Sequence, residues 1–255
     1  MISVVIPTCN RPRLLKEALD CVLKQSLQPI EIILVNNGDE PLAQFPVPSH
    51  VHIIEAPRRA GASQARNIGA AAATSEYLAF LDDDDLWEAD YLLKASKQIE
   101  VSHPDIILAR LDYLKNGQVG PGKCAEGLLT KANLIRYNPG VTGSNIIIKK
   151  KIFNELGGFK IYLSVSHDKA LILDALLTEH TILVVPEMQV IYRPQPVSIS
   201  SGLATGVLEF FHAYKHLMSL REKLYVYFRA RSLKHQTEGS APFSHFLWRI
   251  VSKLF

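Results

Sequence analysis

The chain has 255 residues, 47% of them hydrophobic and 21% charged, a composition that supports a packed core and excludes a disordered or fibrous protein. Its formal net charge of +3 is unevenly placed: residues 1–206 hold 20 Lys+Arg against 22 Asp+Glu, and residues 207–255 hold the other 8 against 3. With the body near balance no nucleic-acid partner is expected, and three cysteines without paired spacing (Cys9, Cys21, Cys124) argue against a disulfide framework and for a reducing compartment.

Ile2 to Ile6 reads as a buried strand. Leu14, Leu15, Ala18, Leu19, Val22 and Leu23 then recur at helical spacing behind Pro12, which suits a helix's first turn, with Asn10 placed to cap it. Ile30 to Val35, Val51 to Ile54 and Tyr77 to Leu81 read as further strands, and GASQARNIGAAAATS as an Ala-rich helix opened by Gly61. Strand, helix, strand, strand, helix, strand predicts a mostly parallel α/β sheet. Ligands of such sheets bind outside the strands' carboxyl ends, which singles out PTCNRP, NNGD and DDDD.

Beyond residue 100, DIILARLDYL reads as a strand, GSNIIIKK as a strand entering a helix and DKALILDALL as a helix. TILVVP and QVIYRP read as two short strands. From Val207 the pattern is helical, KHQTEGSAP interrupts it, and FSHFLWRIVSKLF repeats Phe243, Phe246, Leu247, Ile250, Val251, Leu254 and Phe255 along one helical stripe with Arg249 and Lys253 off it. Such a helix suits a membrane interface beside anionic lipid, and equally a surface of the catalytic domain or of a partner subunit. No stretch reaches the roughly 18 apolar residues of a spanning helix, and the N-terminus has no leader pattern, so a cytoplasmic protein is expected, peripheral on the inner membrane face at most.

The stretch YLAFLDDDDLW carries the chemistry. Acidic runs are usually solvated. Here an apolar strand leads in without a turn residue, and Leu86-Trp87 return to the core, so the carboxylates are pinned. Adjacent carboxylates raise one another's pKa, so a positive partner is required. Oxygen donors without nearby His or Cys suit Mg²⁺ or Mn²⁺ rather than zinc, and such ions reach a substrate through its phosphates.

SVVIPTCNRPRLLKEALDCVLKQS, EIILVNNGD, ASQARNIGAAAATSEYLAFLDDDDLW and GSNIIIKKKIFNELGGF resemble, in order and spacing, the family 2 glycosyltransferases of the GT-A fold, over about residues 2–195. The resemblance implies an α/β, Rossmann-like, mostly parallel sheet flanked by helices over residues 1–204, with a basic amphipathic helical extension over 205–255. It implies a nucleotide-diphosphate sugar donor, Mn²⁺ or Mg²⁺ at a DxD motif, and transfer with inversion to an acceptor hydroxyl on a glycan or a lipid-linked carrier. Carried over, Asp84 and Asp82 are the metal residues, Asp82 and Asp83 also serving the nucleotide, while Asp85 is structural or faces the donor sugar. Pro7 and Thr8 receive the base and ribose with help from Asn10 and Arg11, and Arg66 and Asn67 stand beside the diphosphate.

Asn36 and Asn37 replace the family's base-reading aspartate, which leaves UDP first and dTDP or GDP open. Asp168, after the Gly157-Gly158-Phe159 turn, matches the catalytic base. His167 takes the place of the usual glutamate on the acceptor side, and Tyr192 and Arg193 match a segment that closes the site. An inverting glycosyltransferase of cell-surface polysaccharide or glycolipid synthesis is expected. The alternative is a non-catalytic sugar-nucleotide-binding scaffold subunit of the same fold, supported by the missing aspartate.

Overall fold

The computed structural model describes residues 1–42, 45, 47–194 and 202–238. Its centre is one sheet ordered β3-β2-β1-β4-β8-β6-β9-β5, with β7 on the outside of β6. β1 (Ile2–Thr8), β2 (Glu31–Asn36), β3 (Val51–Glu55) and β4 (Tyr77–Phe80) pair in parallel. β6 (Ile106–Lys115) and β9 (Ile182–Tyr192) run the same way, while β5 (Leu86–Trp87), β7 (Gln118–Lys123) and β8 (Ile146–Lys149) oppose them. The mostly parallel α/β sheet predicted from the sequence is what the chain forms.

Alternation along the strands divides the core in two. Val4, Ile6, Ile32, Leu34 and Ala79 face one side of the sheet; Val5, Ile33, Val35, Leu78 and Phe80 face the other. α1 (Pro12–Leu23) and α3 (Tyr91–Ser102) cover the first side, α1 with Leu15, Ala18, Leu19 and Val22. α2 (Ala62–Ala72) covers the second. The crossovers that leave β1 and enter β4 therefore lie on opposite faces, which opens a crevice at the carboxyl ends of these two neighbours. Thr8 and Asp82 to Asp85 stand there.

Four local readings shift. The cap of α1 is Arg11, with Pro12 first in the helix, because Asn10 takes a positive φ of 58° one residue earlier. TILVVP and QVIYRP are two halves of the single strand β9. The break between them is a bulge in which Ala109 faces Val185 and Arg110 faces Gln189, and Pro186, which has no N–H to give a ladder, sits inside it. β7 follows β6 through Asn116-Gly117, both at positive φ, in the manner of a two-residue hairpin turn. The last helix runs through Lys234 to Glu238, since Lys, His, Gln and Glu are ordinary helix formers.

α4 (Lys131–Arg136), α5 (Lys150–Glu155), α6 (His167–Leu177), α7 (Leu203–Tyr214) and α8 (Leu220–Glu238) complete the second layer. Phe210 and Tyr214 of α7 and Val226 of α8 share a core with Leu171, Ile172 and Leu173 of α6, and the Tyr214 hydroxyl donates to Asp174 at 2.9 Å. Through Phe210, Tyr214 and Val226, the helices of the basic extension thus pack against the sheet's own layer. The stripe at 243–255 lies outside the described residues. No helix among the described residues is long and apolar enough to cross a membrane.

α2 reaches its place only because residue 69 is glycine. A Cβ there would lie 2.4 Å from Val5 Cγ1 and 3.0 Å from Val35 Cγ2. Gly69→Val is expected to cost about 1–3 kcal/mol, the usual penalty of overpacking, read by urea denaturation.

Candidate active site

Every carboxylate of the acidic run has a partner. Asp82 is paired by the guanidinium of Arg66, and its N–H donates to Ser144 Oγ at 3.0 Å. Asp83 accepts from Thr8 Oγ1 at 2.7 Å and from Arg11 at 3.0 Å, and Asp84 accepts from the same Arg11 nitrogen at 2.7 Å. Asp85, buried, accepts from the Ser144 hydroxyl at 2.6 Å and from the Arg193 N–H at 3.1 Å. Ser144 itself is fixed where Trp87 Nε1 donates to its carbonyl at 2.8 Å, with Trp87 stacked on Tyr91 at 4.3 Å.

Burial is the main cause of the raised pKa of Asp83, pushed up to about 6 against the lowering pull of Thr8 and Arg11, and of the upward shifts of Asp84 and Asp85. Asp82 is the strongest charge that raises Asp84 and Asp85.

Arg193 belongs to the segment matched to one that closes the site, and it follows the last residue of β9. It clamps the acidic turn: Nε donates to the Asp84 carbonyl at 2.5 Å, and another guanidinium nitrogen pairs with Glu17 of α1. Arg66 is buried on α2, over the Phe159 ring at 5.2 Å, and contacts His167 Nε2 at 2.9 Å. A guanidinium only donates, so Nε2 accepts and His167 is neutral, in line with a pKa lowered by burial and by the Arg66 charge. Asn67, the next residue, clasps the glycine turn: it donates to the Phe159 carbonyl at 2.8 Å and accepts from the Phe159 N–H at 2.9 Å. Two adjacent residues of α2 thereby hold both the acidic run and the entry to α6.

A cavity of about 860 Å³ opens over these groups, lined by Pro7, Thr8, Arg11, Arg66 and Asp82 to Asp84 and also by His167 and Asp168. Asp168 stands in the first turn of α6, and its Oδ1 accepts from the Lys169 N–H at 2.7 Å. His167 touches Arg66 rather than Asp168. Asn10 and Asn36 stand off the cavity. Asn10 braces Asp39 through two bonds of 2.7 and 2.8 Å. The Asn36 amide is spent on Glu40, Glu55 and Gly38. Asn37 does line the cavity, and with its nitrogen toward Thr8 it donates to the Thr8 carbonyl at 2.6 Å and accepts from the Gly61 N–H at 3.1 Å.

Sequence reasoning missed Ser144, which joins Asp82 to Asp85, and Lys169 and Arg229 on the cavity wall. Ser144 stands in a motif that carried the resemblance, so its position could have pointed to it. Lys169 offered a weaker signal, a lysine on the buried side of an apolar helix.

Asp82, Asp84 and Asp85 present carboxylate oxygens that all lie within 4.8 Å of one another. An all-oxygen set without nitrogen or sulfur fits Mg²⁺ or Mn²⁺. Asp85 is buried and held by Ser144 and Arg193, whereas Asp82 and Asp84 are partly exposed, so these two are the residues that could hold an ion.

The profile of glycosyl transferase family 2 matches residues 3–165. Glycosyltransferase GlyG of Streptococcus pneumoniae is 32% identical over 177 residues, 61% of this chain and 59% of GlyG. UDP-Glc:alpha-D-GlcNAc-diphosphoundecaprenol beta-1,3-glucosyltransferase WfgD of Escherichia coli is 21% identical over 158 residues, 60% of this chain and 62% of WfgD. The matched segments thus span about three fifths of either relative. The crystal structure of residues 1–349 of S. aureus TarS in complex with UDP-GlcNAc has the same fold, with a TM-score of 0.63 at 17% identity over 92% of this chain and 72% of that one.

The raised pKa of Asp83 fixes a pH dependence. Between the unfolded value near 4 and the folded value of about 6, the folded chain binds more protons than the unfolded one, so this group's contribution to stability falls as pH rises through that window. Urea denaturation with EDTA present, at pH 4.5 and pH 7, is expected to show a smaller fall in Asp83→Asn than in the wild type.

Proposed function

The chain belongs to glycosyl transferase family 2, and from that premise we propose that it is a metal-dependent inverting glycosyltransferase. It would move a sugar from a nucleoside-diphosphate donor, UDP first, to a hydroxyl of a glycan or lipid-linked acceptor in cell-surface polysaccharide or glycolipid synthesis. The observation that carries this reading is the meeting of Asp82, Asp83 and Asp84 with Asp168 in one cavity. UDP is favoured because UDP-GlcNAc is the ligand of the TarS structure and UDP-Glc the donor in WfgD's name. A lipid-diphosphate acceptor appears in the same name.

For the donor, Pro7 and Thr8 at the end of β1 and Asp83, bonded to Thr8, form the nucleoside side. Asp84 and Asp82 would hold Mn²⁺ or Mg²⁺, which when bound neutralises charge on the departing diphosphate. Arg11 and Arg66 bring further positive charge to the same site, that of Arg66 fixed in advance of the reaction and shielded from water. Arg66 is the better ordered of the two, held by Asp82, His167 and the Phe159 ring.

Inversion needs a base opposite the leaving group. Asp168, in the same cavity, would supply it: one carboxylate oxygen is held by the Lys169 N–H, and the other is left to take the acceptor hydroxyl's proton. His167 orients this part of the site by tying the first turn of α6 to Arg66.

Attachment to an inner membrane surface is part of the proposal. Leu220, Leu224 and Tyr227 lie exposed on α8 at helical spacing, beside Arg221, Lys223 and Arg231, and add to the sequence stripe at 243–255.

A panel of UDP-, dTDP- and GDP-sugars incubated with Mn²⁺ identifies the donor by its turnover. With that donor, Asp84→Ala is expected to lose turnover at least ~100-fold, the scale of losing one electrostatic stabiliser of the leaving group. Asp168→Asn is expected to lose transfer by about 10²–10⁴-fold, as removal of a general base does, while calorimetric UDP affinity stays within about twofold. Transfer at the wild-type rate in Asp168→Asn would remove that residue from its role.

A further inference from the structure

The acceptor side of the cavity holds a charge that the proposed reaction does not use. Lys169 follows Asp168 in the first turn of α6, lines the cavity and is only 6% exposed. Among the described residues its ammonium has no hydrogen bond and no ion pair. It rests 3.6 Å from the centroid of the Phe210 ring, a contact from α7. A second cation, Arg229 of α8, lines the same cavity and donates to the Arg136 carbonyl. Leu203 and Val207 of α7 add an apolar border.

This is a costly arrangement for a structural role. A buried charge without a counter-ion is unfavourable, and contact with an aromatic face returns only about 0.5–2 kcal/mol. A methionine would fill the same space without the charge. Burial, followed by the charge of Arg229, pushes the Lys169 ammonium down to about 7, with the neighbouring Asp168 opposing. Burial lowers the pKa of Arg229 as well. Two cations, one a planar fork and one a compact point charge, suit a multiply charged oxyanion better than a single carboxylate. The donor's diphosphate is already provided for elsewhere in the cavity by Arg11, Arg66 and the metal carboxylates.

We propose that Lys169 and Arg229 form an anion subsite on the acceptor side of the cavity, which binds a phosphate ester carried by the acceptor and so sets the attacking hydroxyl against Asp168. The inference deepens the glycosyltransferase reading and rests on it. It makes the acceptor a phosphorylated molecule rather than a neutral sugar. The apolar border from α7 would lie along whatever the phosphate is esterified to.

The full chain, saturated with UDP and Mg²⁺ so that the donor site is filled, is titrated by calorimetry with inorganic phosphate, octyl diphosphate and glycerophosphoglycerol. One phosphate site is expected, weakened at least ~10-fold in Lys169→Met and in Arg229→Gln, with UDP affinity in both variants within about twofold of the wild type. Lys169→Met replaces a buried charge with an apolar side chain of similar length and should fold at least as well, and Arg229→Gln provides an independent second variant. Tighter binding of octyl diphosphate identifies a lipid diphosphate headgroup as the source. Tighter binding of glycerophosphoglycerol identifies a phosphodiester polymer.

No phosphate binding to the UDP-loaded chain, or binding unchanged in both variants, would overturn the subsite. A chain that fails to bind UDP but binds phosphate in a Lys169-dependent way would overturn the donor reading and support the subsite.

Discussion

The structure turns on an electrostatic constraint at the carboxyl end of β4: four consecutive aspartates enter a partly buried crevice, and three arginines from different parts of the chain meet them. Arg66 comes from α2, Arg11 from the start of α1 and Arg193 from the end of β9. Each carries a different element to the same turn, so the charge balance of the site is also its assembly. Arg193 joins α1, through Glu17, to the backbone of Asp83 and Asp84. Arg66 joins α2 to α6 through His167. Carboxylates left unpaired at such burial would protonate or force the turn outward.

The same economy explains the glycine-rich entry to α6. Asn67 pins the Phe159 backbone by two bonds, which sets the Phe159 ring beneath the Arg66 guanidinium and edge-on to His167 at 5.9 Å. The distance between the acidic run and Asp168 is therefore governed by a run of contacts that begins in one turn of α2. Gly143 leaves room for this, since a Cβ there would stand 2.5 Å from an Arg66 nitrogen.

Much of this was legible in the sequence, because strand alternation and helical spacing are local properties of the chain. The parallel half of the sheet, the acidic turn and the placing of Asp168 at the start of a helix followed from such patterns. What stayed hidden depends on pairings far apart in sequence. Nothing near Asn36 announces that Glu55 will claim its amide, nor does QVIYRP reveal that its arginine closes on a turn more than 100 residues earlier. The hairpin to β7 is a different case: Asn116-Gly117 is a strong local turn signal that the reading passed over. The single strand β9 was obscured by Pro186, which interrupts the pattern without interrupting the strand.

The three arginines differ in what they can give up. Arg66 and Arg193 have side chains 3% and 9% exposed, and each is bonded to more than one element, so releasing either would bury unpaired groups. Arg11 has a side chain 42% exposed, and among the described residues it is bonded to the carboxylates of Asp83 and Asp84. Its half-exposed guanidinium is reached by water more readily than those of the other two. On the proposed function, Arg11 is thus the partner that a divalent ion and a diphosphate would displace at least cost, while Arg66 and Arg193 keep the turn in shape. The site can exchange its counter-charge without rebuilding its scaffold, because the replaceable cation lies at the surface and the structural ones lie below it.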